Sequence, residues 1–148
     1  MMDEQLLNRA MKYWLETPEI NCAQTTSASL LEYHGYDAES KILLQAFRVY
    51  GGGLNWGLVC GTITGNIGAL GFLASQNGLT KEKTKEIVSE FLSKMELKFG
   101  KLNCANLMQE FYQDGDINFD LPGRHEKCTD LVKTSLDISS ELIKKFMK

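Results

Sequence analysis

The chain reads as an all-α protein, a single-domain bundle of about five to seven helices with its cysteines at helix N-termini. Three observations point that way. Apolar residues recur at three- and four-residue spacing nearly throughout, no run alternates as a half-buried strand does, and Pro, Gly and Asn punctuate the periodic stretches. At 148 residues the chain is long enough for one substantial core and too short to argue for two, so 1–148 is taken as one domain.

Leu6, Leu7, Ala10, Met11 and Trp14 lie on one face of a first amphipathic helix, which Pro18 ends. Asn21 is a preferred N-cap and opens a second helix that carries Leu30 and Leu31 to His34, with Gly35 as its C-terminal stop. Asp37 caps a third helix bearing Ile42, Leu43, Ala46 and Phe47, which halts at Gly51, Gly52 and Gly53. After the loop Leu54-Asn55-Trp56-Gly57, a fourth helix starts near Val59-Cys60 and reaches Ser75. It is poor in charge, and Gly57, Gly61 and Gly65 fall four residues apart with Ala69 continuing the row. Each such glycine costs a helix about 1 kcal/mol against Ala. A face without side chains repays this by letting another backbone come close, within the chain or across a homodimer. Thr80 opens a charged fifth helix through Phe91, Met95 and Phe99, closed by Gly100. A short helix from Asn103 to Tyr112 follows, then a polar turn region containing Asp114-Gly115-Asp116 and Leu121-Pro122-Gly123. The last helix runs from about Glu126 to Phe146 on Leu131, Val132, Leu136, Ile138, Leu142 and Ile143.

The formal net charge of -3 shows no basic excess, which argues against nucleic acid as a partner. Lys81-Glu82-Lys83 and Lys144-Lys145 read as solvated helix faces. Met1-Met2-Asp3-Glu4-Gln5 has neither a basic n-region nor an apolar h-region, so no signal peptide is expected. The most apolar stretch, Leu58 to Ala74, is interrupted by Thr62, Thr64 and Asn66 and reads as a core helix, not a membrane span. The expected location is therefore cytoplasmic. In that compartment four cysteines mean metal binding or catalysis more readily than a disulfide framework.

Cys22, Cys60, Cys104 and Cys128 each fall in the first turn of a separate expected helix. A helix N-terminus presents unpaired N–H groups and the positive end of the macrodipole, which favours thiolate over thiol. Thiolate is the form that attacks disulfides and ligates soft metals. There is no C-x-x-C, so neither a thioredoxin-like dithiol nor a zinc ribbon is expected, and the ferredoxin spacings are absent. The thiols would have to converge from distant helices. Convergence allows an iron–sulfur cluster, a tetrahedral zinc site, or thiol pairs cycling through disulfides without metal. The plain alternative is a helical interaction module with four small buried hydrophobes. Gly51-Gly52-Gly53 lacks both the dinucleotide and the P-loop context, and reads as a turn near Cys60 whose N–H groups could donate to sulfur. His125, three residues before Cys128, is a candidate neighbour for its thiolate, with a surface or capping role as the simpler reading. Asp114, Asp116 and Asp120 lack an EF-hand loop and read as a turn. Trp14 and Trp56 read as core or loop anchors.

The ordered motifs Asn21-Cys22-Ala23-Gln24, Gly51-Gly52-Gly53, Cys60-Gly61-Thr62-Ile63-Thr64-Gly65, Asn103-Cys104-Ala105-Asn106-Leu107 and Lys127-Cys128-Thr129-Asp130-Leu131-Val132 resemble one family. It is the C_GCAxxG_C_C family of small bacterial and archaeal redox-active proteins, and the likeness covers Asn21 to Val132. The resemblance maps the four family cysteines onto Cys22, Cys60, Cys104 and Cys128, and the motif glycines onto Gly61 and Gly65. Thr62 replaces the motif alanine, and Asn21 stands where a glycine commonly precedes the first cysteine. The resemblance implies a redox role. A similar domain in the split-Soret cytochromes implies iron–sulfur binding, whereas haem does not transfer because the chain has no C-x-x-C-H. The leading expectation is thus a [2Fe–2S] cluster on the four cysteines, in a pocket shaped by Gly51, Gly52, Gly53 and Gly61. It would serve electron transfer or redox sensing with a partner protein. Zinc, or no cofactor, is the alternative, and whether the protein is an enzyme is left open.

Overall fold

The structure, a computed structural model, describes residues 3–118 and 120–147, with 116 and 117 by their backbone only. Met1 and Met2, on which part of the leader argument rests, lie outside the described residues. The α-helices are α1 (Glu4–Glu16), α2 (Cys22–Tyr33), α3 (Asp37–Ala46), α4 (Gly61–Gln76), α5 (Lys81–Phe99), α6 (Cys104–Leu107) and α7 (Arg124–Phe146). With a π-turn at Gly53–Gly57 and a 3-10 turn at Gln109–Phe111, the helical elements slightly outnumber the five to seven expected.

Two short strands are also present, β1 (Tyr112–Gln113) and β2 (Asp116–Ile117), paired antiparallel as Tyr112↔Ile117 and Gln113↔Asp116. Asp114 and Gly115 form their turn with φ of 53° and 88°. Positive φ at both central residues is the tight hairpin geometry that Asp-Gly favours. The region expected to be plain turn therefore contains a hairpin. The helix expected over Asn103–Tyr112 is shorter: α6 ends at Leu107, a 3-10 turn follows at Gln109–Phe111, and Tyr112 already belongs to β1.

α2 is the hub, packed against α1, α3, α4 and α7. Every residue from Ala23 to Leu31 is buried, though five of them are polar. Two of the buried hydroxyls bond to their own helix: Thr26 Oγ1 donates to the Cys22 carbonyl at 2.9 Å and Ser27 Oγ to the Ala23 carbonyl at 2.8 Å. Their small size also lets α4 approach closely. A Cβ at Gly65 would run into Thr26 Oγ1 and the Ala23 backbone. The glycine row is therefore used inside the fold, Gly61 and Gly65 against α2, and Gly57 against Ala105 and the Tyr112 hydroxyl.

α7 closes the other side. Asn66 Nδ2 donates to the Thr62 carbonyl at 2.6 Å, and its Oδ1 accepts from Ser139 at 2.6 Å, so this buried amide is satisfied within α4 and across the interface. α5 is capped by the Thr80 side chain and ended by Gly100 at φ 77°, as its sequence indicates. α3 begins differently: Tyr36 is its N-cap and makes no side-chain cap bond, while Asp37 is already helical. Among the described residues no helix is long and apolar enough to cross a membrane.

Candidate functional site

Cys22 is placed by the residue before it. Asn21 forms a full capping box with Gln24: its Oδ1 accepts from the Gln24 backbone N–H at 2.9 Å, and Gln24 Oε1 accepts from the Asn21 N–H at 3.0 Å. Its Nδ2 also donates to the carbonyls of Phe47 and Arg48, both at 3.0 Å. One side chain thus ties the start of α2 to the end of α3 and fixes Cys22 as the first helical residue.

Cys60 and Cys104 are brought together by a single antiparallel bridge, Val59↔Asn103. The Cys60 N–H donates to the Leu102 carbonyl at 2.9 Å, and the Cys104 N–H to the Leu58 carbonyl at 2.7 Å. Each cysteine follows its bridge residue and leads into a helix, Cys60 as the N-cap of α4 and Cys104 as the first residue of α6. Cys128 departs from the expected placement, because α7 starts at Arg124 and puts it in the second turn. There Arg124 Nη1 donates to its sulfur at 3.8 Å, and Cys128 Sγ contacts Met108 Sδ at 3.7 Å.

All four cysteines line one cavity of about 500 Å³. They are free thiols; Cys60 and Cys104 are buried, Cys22 and Cys128 half-buried. Of the glycines expected to shape the pocket, Gly51, Gly52 and Gly61 are in its wall, and a Cβ at Gly61 would strike Cys22 Sγ. Gly53 packs instead on the Leu58 backbone, which leaves no room for any side chain.

Low thiol pKa values at helix starts are not what this environment produces. Burial pushes Cys22 well above the ordinary value, and the neighbouring Cys60, Cys128 and Cys104 push it further. Cys60 is raised by burial against opposing hydrogen bonds, foremost from Thr62, whose hydroxyl lies 3.1 Å from its sulfur. Burial and the neighbouring Cys60 and Cys128 push Cys104 up to about 12, against Arg124. Burial also raises Cys128, although Arg124 opposes it. Desolvation outweighs the helix ends, and without a bound cation the four groups are neutral thiols near pH 7. Among the described residues, no group of three or more His, Cys, Asp or Glu side chains is close enough to hold a single metal ion. The thiols line a space without closing on a point.

His125 does not serve Cys128; it stacks on Trp14 with centroids 5.4 Å apart and planes at 4°, and Arg124 takes the place by the thiol. The i, i+4 spacing of Arg124 and Cys128 is the signal for that pair. Trp56 is no anchor, being 81% exposed. Asp114 and Asp120 are exposed, and the Asp116 side chain lies outside the described residues.

The turn after Gly51 is left-handed. Gly52, Gly53, Leu54 and Asn55 follow one another at φ of 65°, 61°, 63° and 54°. For a branched aliphatic residue this conformation is strained by about 1–2 kcal/mol. Leu54→Gly is expected to raise the melting temperature and Leu54→Val to lower it, the two differing by about 2 kcal/mol in thermal or urea unfolding. Equal stability of the two variants would show that the turn carries no such strain.

A mostly helical fold thus brings four thiols from four chain segments onto one cavity. The family model "Putative redox-active protein (C_GCAxxG_C_C)" matches residues 20–142, and the chain belongs to that family. No curated protein and no solved structure matches the chain.

Proposed function

We propose that this redox-active protein holds an iron–sulfur cluster, [2Fe–2S], on Cys22, Cys60, Cys104 and Cys128, and serves electron transfer or redox sensing. The observation that carries the reading is the meeting of four thiols from four chain segments on one cavity. A cluster is preferred to zinc because the chain has no C-x-x-C pair, the spacing on which structural zinc sites are usually built. A bound cluster would supply one-electron chemistry at a potential set by charge, hydrogen bonds to sulfur and exposure.

The chain's own groups would tune that potential. Arg124 lies beside Cys128 and offsets thiolate charge, and the Thr62 hydroxyl lies beside Cys60. Burial of Cys60 and Cys104 keeps water from half of the ligand set. Metal-free thiol–disulfide exchange is the weaker reading, since it needs an accessible thiolate and all four thiols are pushed towards the neutral form. Inert structural cysteines would have no reason to share one cavity.

The test is the visible spectrum of four single Cys→Ser variants purified without air. Each replacement is expected to abolish or strongly shift the charge-transfer absorption of the parent. Unchanged absorption in all four variants would refute the ligand assignment.

A further inference from the structure

We propose that the apolar segment from Val49 to Val59 is the contact surface for a second copy of this chain. It rests on the outer face of that segment and not on the cluster reading.

The distribution of exposed apolar side chains singles the segment out. Among the described residues eight large hydrophobic side chains are exposed, and five of them are Val49, Leu54, Trp56, Leu58 and Val59. Such residues scattered singly need no explanation, whereas a run of them marks an interaction surface. Trp56 is the most exposed of the five.

The segment is fixed in this shape. The Leu54 N–H donates to the Tyr50 carbonyl at 3.3 Å, and the Leu58 N–H to the Gly53 carbonyl at 3.1 Å. The Leu58 carbonyl accepts from the Cys104 N–H at 2.7 Å, which ties the segment to α6. Gly57 is seated on Ala105 and the Tyr112 hydroxyl. Leu54 and Asn55 hold left-handed φ just before Trp56, and strain kept by residues other than glycine is a mark of binding segments. A ring presented on a fixed loop gives up little freedom on association.

Charge and area choose the occupant. No charged side chain lies between Arg48 and Lys81 in the sequence, and Leu102–Ala105, bridged to the segment at Val59, adds none. A charge-steered redox partner or an anionic membrane needs a field that such a surface does not supply. A two-fold contact sets the patch against itself, and an uncharged patch meets no like-charge repulsion there. By their fractional exposure the five side chains offer about 500 Å² of apolar surface. At an apolar share of about 60%, that corresponds to roughly 800 Å² per partner, the size of a standard stable interface. Asn55, between Leu54 and Trp56, lines the thiol cavity with Gly51 and Gly52, so the second copy comes to rest beside the cavity wall.

The test is sedimentation of the full chain, purified anaerobically and run over a range of concentrations. A dimer is expected, in samples with and without iron. Trp56→Ser should weaken it at least about tenfold, while Leu97→Ser, an exposed position on α5, should leave it intact. Circular dichroism of both variants checks the fold. Tryptophan emission should shift to the blue as the chain associates, and the shift should vanish in Trp56→Phe. A monomer at every concentration, a dimer unchanged by Trp56→Ser, or open-ended association would overturn the proposal. A monomer that binds neutral phospholipid vesicles would overturn it too, giving the segment to a membrane surface. A dimer that never takes up iron would sustain this contact without the cluster. Iron uptake by a monomer would overturn the contact and leave the cluster standing.

Discussion

Gly65→Ala is expected to destabilise the protein by about 3 kcal/mol, lowering its melting temperature by roughly 6–12 °C. The added methyl would meet Thr26 Oγ1 and the Ala23 backbone, with Ala23 Cα 2.9 Å away. Backbone cannot step aside as a flexible side-chain end can, so α2 and α4 would have to separate along their whole contact. Gly71→Ala is the matched control on the same helix, since nothing lies within 4 Å of a Cβ there. It should stabilise by up to about 1 kcal/mol through helix propensity. Opposite signs for two identical substitutions in α4 would establish that the glycine row serves this close packing. A neutral Gly65→Ala would show that the α2–α4 contact is looser than described.

Gly61→Ala should act on the site itself. Its Cβ would strike Cys22 Sγ, with the Ala23 backbone nitrogen at 3.2 Å and the Tyr50 carbonyl at 3.3 Å closing off retreat. The sulfur must leave its present position in the cavity. The expected result is a loss of about 2 kcal/mol in stability and, in the reduced metal-free protein, an at least roughly tenfold change in the alkylation rate of Cys22, since access governs thiol reactivity. The other three thiols should keep their rates. Unchanged Cys22 labelling would mean that the motif glycine is needed for packing and not for placing the thiol.

The contrast between these two glycines shows what could be read from the chain and what could not. Their four-residue spacing announces a close helix contact, but only the fold identifies the partner as α2 and the nearest atom as the Cys22 sulfur. The helix periods, the Asn21 cap and the Thr80 and Gly100 ends of α5 are local signals, and they survive folding because local hydrogen bonds enforce them. The four cysteines were recognisable as a set by their positions at or near helix starts. The meeting of Cys60 with Cys104 depends on the single bridge Val59↔Asn103, and one residue pair leaves no pattern to detect. The hairpin at Tyr112–Ile117 did have a local mark, the Asp114-Gly115 pair, although strands of two residues are too short to show alternation. Thiol acidity was misjudged for a physical reason. A helix end acts over about one turn and is a modest effect, whereas removing a thiolate from water is a large one, and burial can be read only from the fold.

The central claim is that four thiols on one cavity hold an iron–sulfur cluster. Its most direct test is iron and acid-labile sulfide measured on the intact protein purified anaerobically, with zinc determined on the same sample. Iron with matching sulfide is the result this account predicts. Protein that contains neither, even after attempted reconstitution, would contradict it, and zinc alone would recast the four cysteines as a structural site.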